Sequence, residues 1–442
     1  MKLYRKVFSD LEKWKISPNR KPILLRGARQ VGKSYIAKEF SKKYPQRILL
    51  NLEKTEDHNL FERYNLQELI DFLFATNNFP KETETFFFID EIQASTKALQ
   101  MLRFFYEEHP YLHVIAAGSL LDFALDKIQS FPVGRVHQIP IYPINFEEYL
   151  HAVNPSLLDY YHQVPSTFMA HDLLLPVFQE YTILGGMPEV LKTYLTTGDL
   201  VSTREIFADL WQSYKDDTEK YAKNISERKI LRHILNYAHL EQDRIKFNGF
   251  ANSNYKSREV SEAFQSLEMA KIIQLIYPLT QTVYPPLPNL KRSPRLQYLD
   301  TGLLNYLLGI QSELIGVRDL SDFMRGKIIQ HIVSQELISV QTNFHFKPFF
   351  WVREQLSANA EIDIIYIDKN KVYPVEIKSG VKGRLRSLMQ FMDESELDLG
   401  IRLSANYFSV EKVNTINQKP FKLLNIPYYH GTKISEYIST TN

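Results

Sequence analysis

The sequence predicts an α/β protein of two or three units, led by a parallel sheet covered by helices on both faces. Three observations predict it. A buried strand at residues 23–25 runs straight into GARQVGKS and a helical pattern, apolar strands and helical stretches then alternate as far as residue 119, and a second set of strands and helices comes after residue 300. Alternation of this kind implies parallel strands with crossover helices packed back over the sheet. At 442 residues the chain also exceeds what one ordinary core organises.

The first element carries the most specific signal. In KPILLRGARQVGKSYIAKEF, residues Gly27, Ala28, Arg29, Gln30, Val31, Gly32, Lys33 and Ser34 match G-x-x-x-x-G-K-[ST], with a strand before and a helix, beginning near Tyr35, after. Glycines let backbone N–H groups curl around phosphate oxygens, and the helix N-terminus adds its dipole. This makes residues 27–35 candidates for holding ATP. Lys33 is placed to reach the β- and γ-phosphates and Ser34 to ligate Mg²⁺. A second strand, in ETFFFIDEIQ, ends in Asp90-Glu91. Asp90 is a candidate Mg²⁺ holder through water and Glu91 a candidate activator of the attacking water; the competing reading is an Asp N-cap on a buried strand. Between these lie a strand at 47–52 and a helix near 59–75; after them come a helix at 95–107 and a strand at 112–119. Ser119, at the carboxyl end of that strand, is a candidate γ-phosphate sensor or simply part of a Gly-Ser turn.

Residues 155–240 read as helical, with apolar positions three and four apart, and form a lid beside the nucleotide. A helix at 256–271, the strand IIQLIYPL, a Pro-rich tip and the strand RLQYLD then outline a winged-helix-like segment. It offers Lys256, Arg258, Lys291, Arg292 and Arg295 to a DNA backbone, or else packs against a protein. The last third reads α-β-β-β-α-β, with a helix at 326–341, strands at 347–352 and 400–406, a helix at 383–394 and the hairpin AEIDIIYIDKNKVYPVEIKSG. Strand alternation and the DKNK turn place Asp363 opposite Glu376 and Glu361 opposite Lys378. That arrangement holds a divalent cation between Asp363 and Glu376 with Lys378 beside it, or is neutralised by a Glu361–Lys378 ion pair.

GARQVGKS, FFFIDEIQ, VIAAGSLL, SFPVGRVHQIPIYPINFEEYL and YTILGGMPEV, in that order, resemble a prokaryotic family that joins an AAA-type P-loop ATPase to a C-terminal domain of uncharacterised function. The resemblance implies that Arg135 is an arginine finger, against the alternative of a surface salt bridge. It also implies that Gly185-Gly186-Met187-Pro188 is a lid motif approaching the nucleotide base, which makes Pro188 a further candidate contact. Ala28 stands where the family commonly has proline. The last third, with Asp363 and Glu376-Ile377-Lys378, resembles the restriction-endonuclease-like fold, whose first helix commonly carries a further carboxylate; Gln330 stands there instead. Glu336, on the same helix, points to a different face. The implied organisation is a P-loop ATPase core at 1–155, a helical lid at 156–225, a winged-helix-like module at 226–300 and a restriction-endonuclease-like domain at 301–442.

Composition narrows the rest. The 53 basic and 51 acidic side chains nearly cancel, so no generic polyanion-binding surface is implied. The absence of cysteine excludes disulfides, thiolate catalysis and Cys-ligated zinc. The start, MKLYRKVFSDLEKWK, lacks the apolar core of a signal peptide, and no apolar run is long enough to span a bilayer. The expectation is a cytoplasmic, Mg²⁺-dependent ATPase whose nucleotide state controls C-terminal modules that contact DNA or a protein partner, self-association included. The alternatives are an ATP-gated metal-dependent DNA endonuclease and a nucleotide-switched protein-interaction module without DNA binding.

Overall fold

Every residue of strands Ile23–Arg26 (β1), Thr85–Asp90 (β3) and His113–Gly118 (β4) is buried. Strands covered on both faces have no polar side to show, which is why these runs read as continuous apolar stretches. Strand Gln46–Asn51 (β2) alternates buried and exposed residues along its length and forms one edge; His137–Pro140 (β5), which the sequence reading did not anticipate, forms the other. All pairs are parallel, in the order β2-β3-β4-β1-β5. The structure is a computed structural model and describes residues 3–119, 121–125, 134–220, 222–241, 243–310, 326–353, 360–378 and 385–441. Residues 120, 130–133 and 379–380 of the quoted motifs, and the first residues of the helix expected at 383–394, lie outside them.

The single helix expected near 59–75 is two, Thr55–Arg63 and Leu66–Thr76. Asn65 starts the second with a capping box: its side chain accepts from the Glu68 N–H while the Glu68 carboxylate accepts from the Asn65 N–H. The helical segment consists of Leu157–His162, Phe168–Leu184, Pro188–Thr197, Ser202–Lys220 and Ile225–Tyr237.

In the middle, helix Ser257–Met269 precedes Ile273–Ile276 (β6), which pairs antiparallel with Arg295–Tyr298 (β8). The short strand Pro278–Leu279 (β7), between them in sequence, leaves that pair and joins Phe349–Val352 (β9) in parallel. It thereby becomes an edge of the C-terminal sheet. That sheet runs β13-β14-β12-β11-β10-β9-β7, with β10 at Glu361–Asp368, β11 at Lys371–Ile377, β12 at Leu399–Ser404, β13 at Ser409–Asn414 and β14 at Pro420–Pro427. Strands β9, β10 and β11 are antiparallel neighbours, whereas β11, β12 and β14 are parallel.

One apolar core crosses all of these segments. It joins Ile23, Leu25 and Ala117 of the first sheet to Leu174, Phe178 and Tyr181 of the helical segment. It continues through Phe264 and Leu267 to Ile332, Val333, Ile401 and Ile426 at the C-terminal end. The outer faces of the two sheets have separate cores, around Phe87 and Ile89 in one and Trp351, Leu388 and Phe391 in the other. Units that share a core resist moving independently, since separation would expose closely packed apolar surface.

Candidate functional site

Arg26, Asp90 and Gly118 end three adjacent parallel strands, so the loops after them converge at one edge of the sheet. Gly27 comes directly after β1, and a Cβ there would collide with the Ile141 carbonyl oxygen. Gly32 has φ 97°, a backbone that side chains resist, and starts helix Lys33–Ser41. Gln30 also has positive φ, at 63°. Positive φ at Gln30 and Gly32 thus curls the loop into the start of the helix.

Within the curl, Lys33 Nζ donates to the carbonyl oxygens of Gly27 (3.1 Å) and Ala28 (2.7 Å). Burial lowers its pKa to about 8, because an ammonium loses hydration there. Ser34 Oγ donates to Asp90 Oδ1 at 2.9 Å. Burial raises the Asp90 pKa, opposed by the Ser34 hydrogen bond. A hydroxyl and a carboxylate in contact are hard oxygen donors suited to Mg²⁺, and few enough to leave room for water and phosphate ligands. Glu91 stands in the left-handed region at φ 50°. Its Oε2 accepts from Gln93 Nε2 at 2.6 Å and from Ser119 Oγ at 3.3 Å. Lys33, Ser34, Asp90, Glu91 and Ser119 therefore form one connected cluster.

Other expected residues sit differently. Arg135 is exposed and donates to Glu107 Oε1 at 2.8 Å, outside this cluster. Arg29 turns away from the curl to Asp217, both carboxylate oxygens lying 2.7 Å from Nη1. Pro188 begins its helix close to the loop, 3.8 Å from where a Gly32 Cβ would lie. Tyr35 is partly exposed in the first turn of the helix after the loop.

Sequence reasoning missed the loop's supports. Buried Arg5 donates to Val31 O (2.8 Å), Tyr142 O (2.6 Å) and Glu148 Oε1 (3.2 Å). From the opposite side, Tyr214 donates its hydroxyl to Arg29 O at 2.9 Å. Neither residue belongs to a recognisable pattern; an arginine amid an apolar amphipathic stretch was the available signal.

The second group lies on the C-terminal hairpin. Lys369 and Asn370 both have positive φ (45° and 64°), as a two-residue hairpin turn of the favoured twist requires. The ladder from Asp368↔Lys371 to Ile364↔Val375 then brings Asp363 beside Glu376, and Ile377 N donates to Asp363 Oδ2 at 2.8 Å. Burial and the neighbouring Asp363 raise the Glu376 pKa, while Lys378 lowers it. Lys378 Nζ donates to Glu376 Oε1 at 2.5 Å. The other oxygen, Glu376 Oε2, is buried with no hydrogen-bond partner among the described residues.

The expected Glu361–Lys378 ion pair is not formed. Lys378 reaches back along its own strand, and Glu361 instead meets Arg295 and, at 3.6 Å, Arg244. Arg295, expected on a DNA-facing surface, is turned inward: it donates to Asp363 O at 3.0 Å and stacks on Phe350 at 4.4 Å. Gln330 Nε2 also donates to Asp363 O, at 3.2 Å. Glu336 faces away from this group, as expected, and is buried against Phe146 and Tyr181. No group of three or more His, Cys, Asp or Glu side chains is arranged to hold a metal ion among the described residues. No helix among them is long and apolar enough to cross a membrane.

Comparison with known proteins places these observations. Residues 176–314 and 325–429 each match a domain family of unknown function, DUF8612 and DUF4143 respectively. No curated protein matches the chain. Solved structures similar to it include C. elegans PCH-2 (16% identity, 36% of this chain and 48% of that one, TM-score 0.24), so the chain spans about half of that protein. AMPPCP-bound DnaA from Aquifex aeolicus is 12% identical over 60% of this chain and 87% of that one, with TM-score 0.29. RuvB of Thermotoga maritima is 16% identical over 65% and 90%, with TM-score 0.25. Likenesses this low say nothing about activity or partners. The cradle itself lies inside residues 19–150, which match the family model described as an AAA domain.

Proposed function

We propose that the chain binds and hydrolyses ATP with Mg²⁺, and that nucleotide state is transmitted to its C-terminal segments. The observation that carries this reading is the single cluster at the strand ends: Lys33 over the loop carbonyls, Ser34 on Asp90, and Glu91 beside Ser119. Bound Mg²⁺ would be held by Ser34, with Asp90 behind it, and would neutralise charge on the β- and γ-phosphate oxygens. The loop N–H groups bind the phosphates. Lys33 exchanges its carbonyl partners for phosphate oxygens. Glu91 accepts a proton from the water whose oxygen attacks the γ-phosphorus as the bond to the ADP oxygen breaks. Ser119 orients Glu91 and the γ-phosphate. Arg135, exposed on the surface, suits action on a neighbouring copy rather than within its own chain. The shared core supports mechanical coupling to C-terminal segments that contact DNA or a protein partner.

Lys33→Ala should lose nucleotide binding, whereas Glu91→Gln should bind ATP and fail to turn it over. Normal hydrolysis by Glu91→Gln would refute the assignment. ATPase rate with and without DNA distinguishes a DNA-coupled motor from a protein-binding switch.

A second reading rests on the buried, unpartnered Glu376 Oε2 beside Asp363 and Lys378. It gives the C-terminal sheet a restriction-endonuclease-like, metal-dependent DNA-cleaving role gated by ATP. The donor set is thin: two carboxylates, with Gln330 in place of a third. Incubation of supercoiled plasmid with protein, ATP and Mg²⁺ or Mn²⁺ tests it, with Lys378→Ala as control; absence of nicking under every condition removes it.

A further inference from the structure

At the start of β10, Glu361 and Asp363 share the guanidinium of Arg295, with Arg244 also beside Glu361, and at the end of β11 Glu376 holds Lys378. The central cation is Arg295. It bonds to Glu361, lies 3.8 Å from Asp363 Oδ1, and donates to the Asp363 carbonyl oxygen. Its guanidinium stacks on Phe350, which fixes its plane. Glu376 is only 6% exposed and leaves Oε2 unpartnered, so the group retains one desolvated acceptor that no described residue satisfies. Beside Asp363 opens a cavity of about 90 Å³, lined by Arg295, Lys327, Gln330 and His331 among others.

We infer that Arg295 is a built-in counter-cation held against Asp363, and that Asp363 and Glu376 take a divalent cation only when Arg295 withdraws. This rests on the second proposed function, in which the hairpin carboxylates suit a divalent cation. The physical reason is competition. A guanidinium near Asp363 both neutralises that carboxylate and repels an incoming dication, and in a half-buried site neither effect is screened as in water. Removing the guanidinium leaves Asp363, and Glu376 with its unpartnered Oε2, short of a cation that a hard metal ion supplies. Arg295 comes from β8, outside the hairpin, so replacing it leaves the hairpin's own pairing in place.

The test is Mn²⁺ titration of the nucleotide-free full chain, monitored by the electron paramagnetic resonance signal of free Mn²⁺. Wild type should show no tight site. Arg295→Gln should gain one site per chain, about tenfold or more tighter than anything in wild type. Adding Asp363→Asn to that variant should abolish the gain, and Arg295→Lys, which keeps the charge, should remain without it. Arg295→Met, whose stem still packs on Phe350, serves if Arg295→Gln fails to fold by circular dichroism. A folded Arg295→Gln or Arg295→Met chain that binds no more Mn²⁺ than wild type overturns both the inference and the metal reading beneath it. Tight binding by wild type that disappears in Asp363→Asn overturns the role of Arg295 alone and leaves the metal reading standing.

Discussion

Replacing Glu336 with glutamine should stabilise the protein, and increasingly so as pH rises. Glu336 is buried where the C-terminal helix Lys327–Ser339 meets the N-terminal unit. Its two oxygens accept from Phe146 N at 3.2 and 3.0 Å, and its Oε1 lies 2.8 Å from the Tyr181 hydroxyl. That hydroxyl is also 2.8 Å from Ile144 O. One hydroxyl hydrogen cannot serve both acceptors. If Glu336 is protonated the conflict disappears: the carboxylic acid donates to the tyrosine oxygen, and tyrosine donates to Ile144.

Electrostatics point the same way. Burial, aided by Glu148 and Glu147, raises the Glu336 pKa from 4.5 to about 8 against the pull of its hydrogen bonds. A folded-state pKa above the unfolded one means that the folded chain binds the proton more tightly. Its stabilising contribution is therefore complete below about pH 4.5 and is lost progressively up to about pH 8. At ~1.4 kcal/mol per unit, the loss reaches about 3 kcal/mol by pH 7 and about 5 kcal/mol above pH 8. Glutamine keeps the shape, accepts from Phe146 N through its oxygen and donates to Tyr181 through its amide, without a charge to bury. Urea unfolding midpoints of wild type and Glu336→Gln, measured at constant ionic strength from about pH 5 to pH 9, should converge at the acid end and diverge toward the alkaline end. Parallel curves, or a variant less stable at the alkaline end, would refute the reasoning.

Gly27→Ala places a methyl group against the Ile141 carbonyl, so the loop must shift, and fluorescent-nucleotide titration should show affinity falling at least tenfold while the far-ultraviolet dichroism spectrum stays native. Arg5→Ala leaves Glu148 buried without its cation and Val31 O without a donor; denaturation should show a loss of ~3 kcal/mol or more, together with weaker nucleotide binding. Asn65→Ala removes the capping box of an outer helix and should cost ~1 kcal/mol in the same assay, with nucleotide affinity unchanged.

The cradle was legible because its chemistry is local. Eight consecutive residues dictate the curl from Gly27 to Ser34, and Asp90-Glu91 announces itself by ending an apolar strand. The hairpin register was legible for a related reason: a two-residue turn at Lys369-Asn370 leaves one pairing for the rest of the ladder. Short polar and apolar runs said less. The helix break at Asn65 was hidden in a continuous apolar pattern, β5 is four residues long and carries two exposed ones, and β7 is two residues long.

The sequence by itself determined the glycine-rich curl before helix Lys33–Ser41 and the carboxylate hairpin, since both arise from backbone geometry among near neighbours. Only the tertiary structure decided who neutralises whom. Glu361 meets Arg295, 66 positions away, rather than Lys378; Phe146 meets Glu336, 190 positions away; and Val31 is held by Arg5. Charges find partners by proximity in space and by the cost of being buried alone, and that proximity exists only after two sheets and the helices between them have closed on one core.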